Sequence, residues 1–209
     1  MLVLMAKVDA TPALPRESAQ ASLQYIRQTL EAAGRLSSVS GGGMIVVGCL
    51  ALAAVEINQR LTAAPWDSGA GTAAIAVWGG LLLLSAAVTA FAMARKAKRT
   101  GLMFWSPVLR KALAIATAPM FLGALLSMSA LRDGTLIRLP LIWLGCYGAA
   151  LASAGIISVS PVRWMGTCFM LLATAALFVP PYAGLPLLAA GFGGLHLAFG
   201  SYIYWRRDG

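Results

Sequence analysis

Histidine occurs once in this chain, at His196, and cysteine three times, at Cys49, Cys146 and Cys168. A multi-histidine metal site is therefore excluded within one chain. The cysteines are far apart in sequence and form no C-x-x-C pair, so no thiolate metal or redox motif is present. Charge is also scarce, at 11% of 209 residues against about 25% in a soluble domain. No G-x-S-x-G, H-E-x-x-H, Walker or dinucleotide fingerprint occurs, and no pair of intramembrane aspartates. Gly41-Gly42-Gly43 lacks the Lys-Ser/Thr that a phosphate loop needs, and it reads as a hinge. No cofactor and no metal are implied, and enzymatic character is disfavoured.

Apolar residues are abundant, at 59%. They fall in runs of about twenty, the length that crosses a hydrocarbon core near 30 Å thick. The predicted fold class is all-α: a polytopic membrane helix bundle of six transmembrane helices preceded by an amphipathic N-terminal helix. The spans are expected at about 43–59, 72–93, 112–131, 139–159, 164–179 and 185–205. Pro180-Pro181 separates the last two, since two prolines in series cannot continue a helix. Pro119 is a possible kink site in the third. Residues 1–40 form a cytoplasmic segment and residues 41–209 the membrane domain. The opening residues lack the order of a cleavable signal, so the first span is expected to be retained.

Within the N-terminal segment a helix is expected over 17–35. Leu23, Ile26 and Leu30 recur at steps of three and four, which places them on one face. That stripe is a candidate interface for the membrane surface or for a protein partner.

The net charge of +9 clusters between the apolar runs. Arg60, Arg132 and Arg138 lie on one predicted side, and the remaining 13 of the 16 basic residues on the other. This segregation predicts cytoplasmic N- and C-termini in a cell inner membrane and requires an even number of spans. It points to lipid contact rather than nucleic acid. Trp66, Trp105, Trp143, Trp164 and Trp205 fall near predicted span ends, as in an aromatic belt. Gly145, Ala149 and Ser153, and likewise Ala190, Gly194 and Ala198, form small-residue ridges for close helix contact within the bundle or in a homodimer.

Two ionisable residues in the spans are candidate functional groups, because burying such groups in a membrane is costly. Glu56 has a local partner in Arg60, one turn later on the same face. His196, flanked by Gly193, Gly194 and Gly200, can bond to a group on another span or take part in a proton relay with Glu56. Neither inverted repeats nor broken helices with polar midplane groups mark a transporter.

Leu23-x-Tyr25-Ile26-Arg27-x-Thr29-Leu30-Glu31-x-Ala33, followed by Ser37-x-Val39-x-Gly41, resembles the opening of a group of small uncharacterised bacterial multi-span proteins. The closing Gly191-Phe192-Gly193-Gly194-Leu195-His196-x-x-Phe199-Gly200 is similar to their last span. The group carries a proline in the joint before the first span, where Ser40 stands here. The resemblance implies a fold and a location, with no activity attached. The leading expectation is a non-enzymatic regulatory, sensory or complex-accessory subunit. The alternatives are a small proton-linked transporter or channel, and a membrane enzyme acting on a lipid or quinone.

Overall fold

The computed structural model describes residues 39–62, 71–101 and 103–208. Leu23, Ile26, Leu30 and Trp66 lie outside the described residues. The described chain is helical almost throughout. Helix α1 spans Gly41–Thr62, α2 Gly71–Arg99, α3 Pro107–Arg132, α4 Leu139–Ala154 and α5 Ser160–Ala175. The last helix, α6, runs Pro181–Arg206 and changes pitch along its length. Among the described residues, five helices are long and apolar enough to cross a membrane. They are α1, α2, α3, α6 and the stretch Leu136–Ile157 that contains α4. Helix α4 has 16 residues within that 22-residue stretch, and α5, also of 16 residues, lies in no such longer span. The protein is thus an all-α, multi-span membrane helix bundle.

Several helices begin earlier than hydropathy alone suggests. Proline occupies the first turn of α3, α4 and α5, where its fixed φ suits a helix start and its missing N–H costs nothing. Ser106 caps α3 by accepting from the Leu109 N–H. At the other end of α2 the helix carries Arg95, Lys96, Lys98 and Arg99 in its last turns, so the basic cluster expected between spans is helical. Lys96 Nζ donates to the Val39 carbonyl at 2.7 Å and ties this end of α2 to the entrance of α1.

Helices in lipid gain little from apolar burial alone, because lipid tails are as apolar as leucine; they associate through close packing and interhelical hydrogen bonds. Antiparallel contacts of this kind define two groups. In the first, α1 packs against α2 and α6. Gly43 meets Ala92, and Asn58 meets Trp78, along α1 and α2. Gly48 meets Leu197, and Gly200 meets Met44, along α1 and α6. In the second, α4 packs against α3 and α5. A Cβ on Gly148 would fall 2.9 Å from the Gly166 carbonyl oxygen, so α4 and α5 touch backbone to backbone. Helix α6 bridges the groups, with Leu144, Phe169 and Leu188 fully buried where it meets α4 and α5.

Within the bundle, the tight contacts fall beside the expected small-residue ridges. Ala190, Gly194 and Ala198 are exposed, whereas Gly191, Gly193 and Gly200 make the close contacts of α6. The odd-one-out spacing follows from the π-helix at Ala189–Leu195, whose wider turn shifts the face that packs. Gly148 on α4 and Gly155 just past its end make the tight contacts with α5, while Gly145 lies at ordinary distance from Ala173.

Asn58 is fully buried and anchors a polar knot. Its Nδ2 donates to Thr62 Oγ1 at 2.9 Å, the Thr62 hydroxyl donates to the Asn58 carbonyl at 2.8 Å, and Trp78 Nε1 donates to Asn58 Oδ1 at 3.1 Å. Asn58→Ala removes two of these bonds. A destabilisation of about 2 kcal/mol is expected, from about 1 kcal/mol per buried bond. An unfolding titration in mixed detergent micelles checks this, and a change within the error of wild type would show that the knot contributes nothing.

Candidate functional site: an intramembrane cleft

Consecutive helices α2 and α3 scarcely touch, since α2 belongs to one packing group and α3 to the other. A cleft of about 290 Å³ lies between them, with its floor on α1, α4 and α6. Small-molecule pockets start near this size. Leu82, 56% exposed, and Met120 stand at its mouth on the lipid-facing side. Among the described residues, no Asp, Glu, Lys or Arg lines it.

The inner wall is aromatic. Trp78 lies 5.8 Å from Trp143 and 5.9 Å from Phe192, ring centre to ring centre, and Tyr147 lies 5.1 Å from Phe192. These spacings are those of favourable tilted ring pairs. Trp143 therefore faces the cleft, where its Nε1 donates to Ser127 Oγ at 3.0 Å, and does not serve the aromatic belt. Trp105, Trp164 and Trp205 are exposed, as a belt requires.

His196 closes the cleft at its base. It is 3% exposed and follows the π segment directly. Its Nε2 lies 2.9 Å from the Tyr147 hydroxyl on α4. The carbonyls of Gly191 and Phe192 approach the ring from within α6, but Nδ1 completes no hydrogen bond of good geometry. Those carbonyl oxygens favour the proton on Nδ1. In that tautomer Nε2 accepts from the Tyr147 hydroxyl, and the phenolic oxygen can only accept from any further partner. Ser85 on α2 also lines the cleft, and its Oγ is buried without a partner.

Interhelical register places these groups at one depth. Ser85 is level with Leu50 of α1, given that Gly43 meets Ala92 and Asn58 meets Trp78. His196 is level with Cys49, given that Gly48 meets Leu197 and Leu52 meets Gly193. Both positions lie about 12 Å from the start of α1, near the middle of its length.

Glu56 is elsewhere. Its side chain is 57% exposed, and it accepts from Arg60 Nε at 2.6 Å. It stands seven residues along α1 from the level of His196, about 10 Å. The structure does not bring Glu56 and His196 together. Glu56 and Arg60 occupy one face of α1 while Asn58 and Thr62 occupy the other, because a step of two residues turns a helix by about 200°. Tyr147 and Ser85 are the groups that sequence reasoning missed. The available signal at these two was a polar side chain placed mid-run.

No family model matches the chain, and neither a curated protein nor a solved structure matches it.

Proposed function

We propose that this is a six-span, non-enzymatic membrane protein, a sensory or complex-accessory subunit, that takes a neutral apolar ligand from the bilayer into the cleft between α2 and α3. The observation that carries this reading is an uncharged, aromatic-walled cleft that opens toward lipid and holds buried polar atoms at mid-depth. The absence of charge in its lining disfavours phospholipid headgroups and ions, because nothing there offsets their desolvation. A bacterial inner membrane, with both termini cytoplasmic, is proposed from the charge partition and the terminal motifs.

The test uses tryptophan emission. A variant with Trp66, Trp105, Trp164 and Trp205 changed to Phe keeps only Trp78 and Trp143, both in the cleft. A neutral quencher, 1-bromododecane, should reduce their emission in a saturable manner. Gly79→Leu adds a side chain to the cleft lining at a position where nothing lies within 4 Å of the new Cβ. It should weaken quenching at least five-fold. Equal quenching in both forms would refute ligand entry.

A membrane enzyme acting on a lipid or quinone is the second reading, favoured by the Tyr147–His196 pair. Proton-linked transport through Glu56 and His196 has less support, given the separation of the two and the Arg60 pairing.

A further inference from the structure

The uncombined hydrogen-bonding capacity of the cleft is specific, and it deepens the ligand-binding reading on which it rests. Two polar features share one depth, the Ser85 hydroxyl without a partner among the described residues and the Tyr147 oxygen 2.9 Å from His196 Nε2, and ring faces from Phe192, Trp143 and Trp78 lie about one to two helical turns along the same wall. We propose that the cleft is a site for a neutral hydroxyl-bearing aromatic ring on an apolar tail, of the phenol or quinol kind.

Each part of that description follows from one feature. The aromatic wall favours a flat ring, which stacks or meets edges at the spacings already present between its own side chains. The lack of charged lining requires a neutral head. The opening between α2 and α3 gives an apolar tail a route into lipid. The hydroxyl is set by Tyr147. With its own proton given to Nε2, the phenolic oxygen can only accept, so a donor on the ligand is matched and a bare carbonyl is not. Ser85 is indifferent, because a serine hydroxyl donates or accepts as its partner requires. A quinol or phenol can match the hydrogen-bonding needs of both polar atoms, whereas a quinone or an ether can match Ser85 alone.

The histidine is the positioning group of this site. It does not reach for the ligand; it orients the Tyr147 proton away from the cleft. The π segment is what permits this. It brings the Gly191 and Phe192 carbonyls to the ring and so favours the tautomer with Nδ1 protonated. π-segments of this kind recur at functional sites.

The test pairs 4-decylphenol with its methyl ether, which share ring and tail and differ in the donor alone. Each competes with 1-bromododecane for the four-Phe variant, and recovery of Trp78 and Trp143 emission reads displacement. The phenol should displace the quencher at five- to ten-fold lower concentration than the ether, the effect of one buried hydrogen bond. Tyr147→Phe should bring the two probes within two-fold of each other. Decylquinol should likewise outcompete decylquinone under anaerobic conditions. Equal displacement by phenol and ether in the Tyr147 form overturns the inference, as does a preference that survives Tyr147→Phe. If 1-bromododecane quenches saturably in that case, the apolar-ligand reading survives alone; if it does not quench, both fall.

Discussion

Gly166→Leu should prevent the bundle from closing, and Gly166→Ala alone should cost about 3 kcal/mol, the upper range for overpacking. A Cβ at Gly166 would strike the Ala152 backbone nitrogen and lie 2.7 Å from the Gly148 carbonyl oxygen. Both neighbours are backbone, so no side-chain rotation relieves the contact. The helices must separate, and with them goes the dispersion contact that holds α4 to α5 in lipid. Phe169, fully buried one turn away, would lose its seat against Tyr147 and Phe192. Fluorescence-detected size exclusion should show a folded peak for Gly166→Ala with a lowered unfolding midpoint, and aggregate for Gly166→Leu. Gly194→Leu is the matched control. That glycine is exposed, and nothing lies nearer to its would-be Cβ than the Ala189 carbonyl at 3.9 Å. Its stability should stay within about 0.5 kcal/mol of wild type. A folded Gly166→Leu with a normal midpoint would remove the α4–α5 contact from the account of the fold.

The contrast between Gly166 and Gly194 also shows what a sequence can convey. Hydropathy located the long apolar helices among the described residues, because the membrane imposes one length and one polarity on each. It clipped some of their ends, because it senses the hydrocarbon and not the helix: the basic turns of α2 and the proline starts of α3 and α5 lie in helix beyond the apolar runs. Which face of each helix meets a neighbour was less legible. Small-residue spacing of four pointed to Gly194 and its ridge, but a π turn breaks that periodicity at Ala189–Leu195. The cleft was not legible at all. It exists because α2 and α3, adjacent in sequence, pack into different groups, and that is a property of pairs of helices. His196 stood out as a lone ionisable residue, and its partner Tyr147 did not, since tyrosine is common in membrane helices. Glu56 stood out for the same reason as His196. Its i+4 arginine gave its surroundings correctly: an exposed pair on the outer face of α1.

Labelling of single cysteines should place Asp133 and Phe178 on one side of the membrane and Thr100 and Ser160 on the other. The background is a chain with Cys49, Cys146 and Cys168 replaced, and the reagent is a membrane-impermeant maleimide. All four test positions are exposed. The decisive pair is Ser160 and Phe178, because they bracket α5. That helix has 16 residues, about 24 Å of rise against a core near 30 Å. Three observations support a crossing nonetheless. Helical turns continue past its end, with Leu177 donating to Thr174 and Phe178 to Ala175. The contacts of α5 with α4 run the length of both, from Arg163 beside Gly155 to Ala173 beside Gly145. The start of α6 then lies at the start of α4, where a Cβ on Gly184 would fall 2.9 Å from Pro140. Local thinning of the bilayer and the exposed Trp164 and Tyr182 near its two ends accommodate the short span. Six crossings also keep Arg132 and Arg138 apart from Arg163 and Arg206, as the charge partition requires. Labelling of Ser160→Cys and Phe178→Cys from the same side, in protein that remains folded, would make α5 a re-entrant helix, reduce the count to five, and move the C-terminus across the membrane.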